Sequence, residues 1–386
     1  MSTYRLLAPC LFGLESVLKQ EIKDLGYEVV EVEDGRVIYT GDALAICRSN
    51  IWLRTAERVM IEVARFEAKS FEELFEKTEA IPWEAYIPLD GKFWVSKASS
   101  IKSELFSSKD IQSIVKKAMV KRLGHFYKET WFEESGASYP VRIFIKKDMV
   151  SVCLDTSLEA LHKRGYRIMT SKAPLSETLA ASLILLSVWN KDRAFVDPFC
   201  GSGTLVIEAA MIGANLAPGL NRSFAAEGWK NLVPRDLWIE AVDEANKKFD
   251  PNASLNIQGF DIDGDILKVA RENAVNAGVD GFIHFQERDV KDLTHKRRYG
   301  VIVTNPPYGE RLSNTSEVEA LYKVMGQSFT TLEDWSYYVL TSFEGFEKHF
   351  GQKAQKKRKL YNGMLKTNLY QYLGKRPPKI ERADGL

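Results

Sequence analysis

Hydrophobic and polar residues follow two different patterns along the chain. From residue 179 onward, short apolar runs typical of strands buried on both faces alternate with helical stretches. The predicted strands lie at 194–198, 256–262, 283–286, 301–304 and 336–341, with a late pair near 359–360 and 369–373. This alternation predicts an α/β fold, a doubly wound Rossmann-like sheet that is mostly parallel.

The first 170 residues follow a mixed pattern of short strands and helices. The segment 28–40 predicts a hairpin that turns at Asp34-Gly35, and helices are expected at 14–23 and 111–123. Strands resume at VRIFIKK and MVSVCLD. Because this α+β region lacks a strand-to-helix phosphate loop, we expect it to bind rather than to catalyse. The insertion 211–255 is expected to cover an edge of the site.

Composition narrows the class of protein. With 386 residues and 45% hydrophobic content, the chain can build two or three cored domains. Its longest nearly apolar run, 179–189, is shorter than the roughly 20 residues that a membrane-spanning helix needs. The first residues do not show the basic and apolar pattern of a signal peptide. Four cysteines without a C-x-x-C pair indicate neither a disulfide framework nor a zinc site. We therefore expect a cytoplasmic protein without membrane or metal partners.

Charge is distributed unevenly, although the net charge is only +1. Residues 101–172 carry 14 basic against 8 acidic side chains, and residues 351–386 carry 10 against 2. Local clusters of Lys and Arg predict confined surfaces that contact phosphates. The alternative is that these charges form solvated faces and a disordered tail.

The first strand of the alternating region runs into DPFCGSGTLVIEAA. Gly201 and Gly203 allow a tight turn and a close approach to a ligand before a helix. The segment lacks the Gly-Lys-Ser/Thr of a Walker loop and the third glycine of the dinucleotide fingerprint. Asp197 places a carboxylate where an amino group is favoured and a pyrophosphate is not.

Two further acidic residues follow the next two strands. Asp261 ends the second strand, where it can accept both hydroxyls of a ribose, and Asp263 is the better N-cap for the helix that follows. Asp289 follows the third strand and can accept from an adenine amino group. Three carboxylates at successive strand ends predict a nucleoside-binding site.

The fourth strand stops at Asn305-Pro306-Pro307-Tyr308. An exocyclic base amine is a poor nucleophile, because its lone pair is delocalised into the ring. Two acceptors, the Asn305 side-chain oxygen and the Pro306 carbonyl, can fix both N–H groups and direct the lone pair toward a methyl donor. Pro307 stiffens the loop, and Tyr308 offers a face for a flipped-out base. These four residues are the candidate catalytic residues.

Together these motifs resemble the class I S-adenosylmethionine-dependent amino-methyltransferases. More specifically, LHKRGYR, APLSETLAA, PGLNRSFA and KLYNGMLKTNLYQY are similar to segments of THUMP-containing RNA guanine-N2 methyltransferases that act on ribosomal RNA, with relatives that act on transfer RNA. The resemblance covers nearly the whole chain. It implies a ferredoxin-like domain at 1–60, a THUMP RNA-binding domain at 61–160 and a catalytic domain at 161–386, whose last strand is antiparallel.

The resemblance also assigns roles to residues. S-adenosylmethionine is the implied cofactor, with its methionine end near Asp197, its ribose at Asp261 and its adenine at Asp289. A helix that resembles one closing over the methionine portion adds Ser176 and Thr178 as weaker candidates. The full set of expected cofactor-binding residues is Asp197, Phe199, Gly201, Gly203, Thr204, Asp261, Ile262, Asp289, Ser176 and Thr178.

RNA contacts are expected on the basic helix and the interdomain stretch, from Lys116, Lys117, Lys121, Arg122, Lys163 and Arg164, or else from the tail at 356–359. For Arg164, pairing with a carboxylate is the alternative. The same motifs occur in N6-adenine DNA methyltransferases and in glutamine methyltransferases, and the absence of an evident helix-turn-helix disfavours DNA. An inactive binding module and an oxidoreductase are further alternatives, and the sequence leaves the oligomeric state open.

Overall fold

The computed structural model describes residues 3–167, 175–308 and 315–378. Within it the chain forms two compact units. The first comprises residues up to Cys10, Leu18–Leu161 and Pro218–Lys247, and the second comprises Leu11–Val17, His162–Ala217 and the chain from Lys248 onward. The residues 218–247 therefore belong to the first unit, whereas the sequence placed them in the catalytic domain.

The first unit is built on one seven-stranded sheet. Its strands are β1 (Tyr4–Pro9), β2 (Glu28–Glu33), β3 (Arg36–Gly41), β4 (Met60–Glu67), β5 (Lys92–Ile101), β6 (Ser138–Lys146) and β7 (Met149–Asp155). They lie in the order β2-β3-β1-β4-β7-β6-β5, and only β5 and β6 pair in parallel. The predicted hairpin is confirmed as β2 and β3, with Gly35 at a φ of +77°.

Five helices complete the N-terminal elements and the insertion: α1 (Glu15–Asp24), α2 (Ala43–Trp52), α3 (Phe71–Glu79), α4 (Ser108–Tyr127) and α7 (Arg235–Lys248). The insertion is anchored within the first unit by Trp229, whose ring stacks on Tyr139 with centroids 5.0 Å apart. Its indole N–H donates to the Ser138 carbonyl at 2.8 Å. These contacts explain why 218–247 belongs to this unit.

The second unit is the predicted doubly wound sheet. Its strands are β8 (Phe195–Asp197), β9 (Ile257–Asp261), β10 (Ile283–Glu287), β11 (Val301–Thr304), β12 (Ser336–Thr341), β13 (Lys356–Asn362) and β14 (Leu365–Tyr372), and its helices are α5 (Glu177–Leu186), α6 (Thr204–Gly213), α8 (Gly264–Asn276), α9 (Thr315–Thr330) and α10 (Phe346–Phe350). The strand order is β10-β9-β8-β11-β12-β14-β13. Strand β14 runs antiparallel to β12, as expected for the last strand.

The core of this sheet is strongly apolar, because its central strands are covered on both faces. All four residues of β11 and all six of β12 are buried. No α-helix among the described residues is long and apolar enough to cross a membrane. The five strands β8 to β12 run parallel, so their carboxyl ends lie at the same edge of the sheet.

Candidate functional site

A cavity of about 340 Å³ lies at the carboxyl ends of the parallel strands of the second unit. Strands β10, β9, β8 and β11 are consecutive neighbours, and ligands of such sheets bind at this edge. The residues that line the cavity are Pro198, Phe199, Gly201, Asp261, Ile262, Arg288, Asp289, Val290, Asn305, Pro307 and Leu321. The structure thus brings together five of the predicted cofactor-binding residues and two residues of the Asn-Pro-Pro-Tyr motif.

The glycine turn after β8 takes its shape from two residues with positive φ. Gly201, at +52°, lines the cavity, and a side chain there would meet nothing within 4 Å. Its N–H donates to Asp261 Oδ2 at 2.9 Å and so ties the turn to the end of β9. Gly203, at +88°, begins α6, where a Cβ would lie 3.2 Å from Ala270. Gly203 is therefore required by backbone conformation and helix packing, and it does not line the cavity.

Asp197 is buried and does not line the cavity. Its Oδ1 accepts from the Thr304 hydroxyl at 2.7 Å and from the Phe199 N–H at 3.1 Å. Burial raises the pKa of Asp197 to about 7, and the charge of Asp261 adds to the increase. The carboxyl is thus poised to ionise when a cation is placed beside it.

The two acidic residues that line the cavity differ electrostatically. Burial raises the pKa of Asp261, although N–H donors from Asp263 and Gly201 oppose the change. The pKa of Asp289 is lowered, first by the backbone N–H of Lys291 and then by the Lys291 side chain. Asp263 caps α8 by accepting from Asp265 and Ile266, as predicted. Asp261 is thereby left to face the cavity.

Asn305 supplies an unused acceptor at the other end of the cavity. The residue is only 9% exposed, and its Oδ1 is buried without a hydrogen-bond partner among the described residues. A buried acceptor without a donor costs free energy, which a ligand with an N–H group would recover. Asn305 directly follows Thr304, which is fixed by its bond to Asp197. The backbone at the start of the loop is therefore tied to Asp197.

The rest of the loop is fixed from two sides. The Tyr322 hydroxyl lies 3.4 Å from the Pro307 carbonyl and 2.8 Å from Thr341 Oγ1. Tyr308 is 6% exposed and accepts from Asn362 Nδ2 at 3.3 Å. Neither Tyr308 nor Pro306 lines the cavity, so the expected stacking face of Tyr308 is covered in this structure.

Three other predicted cofactor residues also lie outside the cavity lining. Thr204 is buried and accepts from Arg167 at 2.8 Å. Ser176 caps α5 through the Leu179 N–H, and Thr178 is buried in that helix. Arg288, Val290, Pro198 and Leu321 line the cavity but were not predicted. The first two flank Asp289 and could have been inferred from it, whereas Leu321 is an ordinary apolar position of a distant helix.

The predicted RNA-binding residues of α4 are largely paired with acids. Lys116 bonds Glu134 at 3.0 Å, Lys121 bonds Glu79 at 3.0 Å, and Arg122 makes a two-pronged contact with Glu84. Lys117 lies 5.9 Å from the Phe75 ring centre. The helix therefore presents much less free positive charge than its sequence indicates.

Arg164 requires a correction. Its side chain is buried and pairs with Glu208 of α6 at 3.4 Å, so an RNA phosphate does not have access to it in this structure. The structure confirms the alternative, that Arg164 pairs with a carboxylate. The neighbouring Lys163 is exposed.

The fold and the site together define a class I methyltransferase, the class of enzyme that takes its methyl group from S-adenosylmethionine. The described residues fit that cofactor, since an open glycine turn, two carboxylates and an exposed apolar side chain, Ile262, meet in one cavity. Among the described residues, no group of three or more His, Cys, Asp or Glu side chains is arranged to hold a metal ion.

The chain belongs to the RMKL-like methyltransferase domain family, UPF0020, which matches residues 164–371. Residues 5–60 match the RlmL ferredoxin-like domain and residues 68–155 match the THUMP domain. The predicted family is thereby confirmed. The matches fall inside the three expected domain ranges, whose boundaries stay predictions.

Similar proteins carry RNA methyltransferase names. A Bacillus subtilis protein named "Putative RNA methyltransferase YpsC" is 50% identical over 386 residues, with full coverage of both chains. "Ribosomal RNA large subunit methyltransferase K/L" of Syntrophotalea carbinolica is 35% identical over 93% of this chain, which spans 52% of that protein. The chain is thus about half the length of the K/L relatives it matches.

A similar solved structure contains a ligand. SMU.472, described as "a putative methyltransferase complexed with SAH", has a TM-score of 0.92 and 44% identity, and the match covers 98% of this chain and all of the other. Likeness of this extent means that the two chains share the fold throughout.

Proposed function

We propose that this protein transfers a methyl group from S-adenosylmethionine to an exocyclic amine of an RNA base, the N2 of guanine in ribosomal RNA. The family supplies the methyltransferase chemistry, and the THUMP match supports RNA as the substrate class. The ribosomal assignment is supported by the names of the K/L relatives. The orphan oxygen of Asn305 is the single structural observation that carries the proposal.

In the second unit we assign the aspartates to cofactor binding and the Asn-Pro-Pro-Tyr motif to the target base. We expect Asp261 and Asp289, which line the cavity, to bind the ribose and the adenine of the cofactor. We expect the buried carboxyl of Asp197 to interact electrostatically with the positively charged methionine end. The bound cofactor supplies an activated methyl group on a sulfonium centre. We expect the aspartates to fix the cofactor before the base enters.

Asn305 acts on the base. Its Oδ1 accepts one N–H of the target amine, and we expect the carbonyl of the next residue, Pro306, to accept the other. Holding both N–H groups orients the nitrogen lone pair and lowers the entropic part of the barrier. The bonds of Tyr322 to Thr341 and Pro307 keep the loop from relaxing. No strong base is needed, because the amine loses its proton only after the methyl has been transferred.

The test is Asn305→Ala. We expect methyl transfer to fall by at least ~100-fold, by analogy with the loss of one positioned hydrogen-bonding group. Binding of S-adenosylhomocysteine should persist, since the cavity keeps its aspartates. Turnover is measured with labelled cofactor on ribosomal RNA from cells that lack the gene.

The matched control is Asn252→Ala, an exposed asparagine outside the cavity lining, which should leave turnover unchanged. Near-wild-type turnover of Asn305→Ala would refute the assigned role. Mass spectrometry of nucleoside digests from the same cells identifies the product. A missing N2-methylguanosine supports guanine, whereas a missing N6-methyladenosine would reassign the target to adenine.

A further inference from the structure

A second cleft, of about 510 Å³, lies along strands β9 and β10 of the second unit. Nine residues line it, all of them polar and none acidic. The cationic side chains among them are Arg288, Lys296 and Arg297, and two histidines, His284 and His295, accompany them. Lys296 and Arg297 lie outside the motifs that we assigned to cofactor binding, catalysis or RNA binding.

The cleft lies beside a crossover that contains no α-helix. Parallel strands are joined by connections of about a dozen residues or more, which usually form an α-helix that covers the sheet. The described connection from β10 to β11, residues 288–300, contains one short 3-10 turn, Val290–Asp292, and no α-helix. One face of β10 is therefore left open, with His284 and Gln286 projecting from it at the two-residue period of a strand.

The positive charge of this cleft is not neutralised locally. Within the described residues, neither Lys296 nor Arg297 makes an ion pair, whereas their neighbour Arg298 pairs with Glu333 and Asp334. The cations of α4 are paired in the same way as Arg298. A recess with one sign of charge focuses the field more strongly than a flat surface does. The cleft therefore attracts anions.

The backbone that carries these cations is anchored. The Arg297 N–H donates to His295 Nδ1 at 2.9 Å, and the Arg297 carbonyl accepts from the Trp335 indole at 2.9 Å. The His295 ring also packs edge-on against Trp335, with centroids 4.8 Å apart. An ordered backbone with two free cationic side chains is suited to binding, because less entropy is lost when the ligand is held.

The cleft opens beside the candidate active site. Arg288 lines both cavities, and it is held over the Phe260 ring at 4.6 Å. Strand β10 lies three neighbours from β11, roughly 14 Å away across the sheet at the usual spacing of strands. The cleft extends along β9 and β10 from Arg288, at their carboxyl ends, to Asn256, which precedes β9. A nucleic-acid strand whose target base lies at Asn305 can therefore reach the cleft within a few nucleotides.

We propose that this cleft binds the phosphates of the RNA strand next to the target nucleotide. The inference rests on the proposed function for its choice of RNA. Guanidinium and ammonium groups bind phosphate oxygens through charge-assisted hydrogen bonds, and the side-chain amide of Gln286 in the same cleft adds a donor. Such contacts position the strand and carry no base specificity.

The test is the double variant Lys296→Glu with Arg297→Glu. Both side chains are exposed, so the substitution leaves the backbone anchors intact. The probe is a labelled single-stranded oligo(U) RNA titrated over a range of salt. We expect affinity to fall about tenfold at ~0.1 M salt and the salt slope to decrease by about 1.4, the value for two lost phosphate contacts. Binding of S-adenosylhomocysteine should remain unchanged.

The control is Lys191→Glu with Lys323→Glu, two exposed lysines of the second unit that change the net charge by the same amount. The proposal requires the cleft variant to lose more affinity than this control does. Equal loss would overturn the cleft and leave the proposed function standing, provided that the wild-type enzyme methylates RNA. A wild-type enzyme that binds no RNA would overturn both.

Inorganic phosphate serves as the second probe. One outcome would overturn the RNA proposal: phosphate raises the melting temperature of the wild type but not of the cleft variant, while both bind RNA equally well. The cleft would then be a site for a free anion. Cross-linking of the oligo(U) RNA to the peptide that contains Lys296 is the positive counterpart.

Discussion

At the scale of single residues, Asp197 has the most unusual environment in the site. Its pKa of about 7 means that about half of the molecules carry a neutral carboxyl at neutral pH. The native state thus holds a proton that the unfolded chain releases at lower pH. Since the folded pKa is the higher one, this group makes unfolding easier as pH rises from about 4 to about 7.

Binding of the cofactor should favour the ionised form of Asp197. If the ionised carboxylate answers the positive charge of the cofactor, the affinity for S-adenosylhomocysteine should rise about tenfold between pH 6 and pH 8, because the ionised fraction rises from roughly a tenth to roughly nine tenths. Calorimetric titration measures this dependence. Asp197→Asn should bind weakly with a flat pH profile, and the exposed Asp192→Asn should behave as wild type. A pH-independent wild type would contradict the role of Asp197.

At the scale of elements, the buried pair Arg164–Glu208 holds the segment before α5 against α6. We expect Arg164→Met to destabilise the second unit by about 3–5 kcal/mol, because it leaves Glu208 buried without a countercharge. The double variant that also carries Glu208→Met should recover most of that loss. Chemical denaturation followed by circular dichroism measures both.

These variants distinguish two roles of Arg164, stabilisation of the fold and contact with RNA. If Arg164 serves the fold, RNA affinity of the double variant equals that of the wild type. The exposed neighbour provides the control, since Lys163→Met should leave the stability unchanged. Weak RNA binding by a fully stable double variant would restore Arg164 as an RNA contact.

The central strands β8, β11 and β12 were predictable from sequence, because each is a short, mostly apolar segment that is buried along its whole length. The prediction for β11 and β12 matches the structure residue for residue; β8 and β9 are shorter than predicted by one residue at each end, and β10 is longer by one residue. The charged surfaces were not predictable. Lys121 and Arg122 meet Glu79 and Glu84, which lie 42 and 38 positions earlier and join α4 only after folding.

The site was predictable in part for the same reason. Residues at strand ends share an edge once the sheet order is known, so Asp261, Asp289 and Asn305 could be grouped from sequence. Tyr308 was placed correctly in the chain, but its contact with Asn362 comes from the distant β13–β14 hairpin. The sequence near Tyr308 therefore did not predict that its hydroxyl would be hydrogen-bonded by this hairpin.

At the scale of the whole molecule, we expect cofactor binding to stabilise the second unit and not the first. S-adenosylhomocysteine at about 100 times its Kd should stabilise the protein by about 2.7 kcal/mol, and NAD should not. Hydrogen exchange should show new protection at the carboxyl ends of β8 to β11 and none in the sheet of the first unit. Stabilisation by NAD, or protection confined to the first sheet, would overturn the cofactor assignment.

The first unit is discontinuous in sequence, and this affects how the protein is made. Trp229 completes the packing around Tyr139, the Gly219 N–H donates to the Ile51 carbonyl at 2.9 Å, and Arg48 pairs with Glu244 at 2.7 Å. A ribosome must therefore synthesise β8 and α6 before the unit that began first can finish its core. A fragment that stops near residue 160 would leave the aromatic stack and the Arg48 pair incomplete, and truncated versions made to isolate the RNA-binding half should be prone to aggregation.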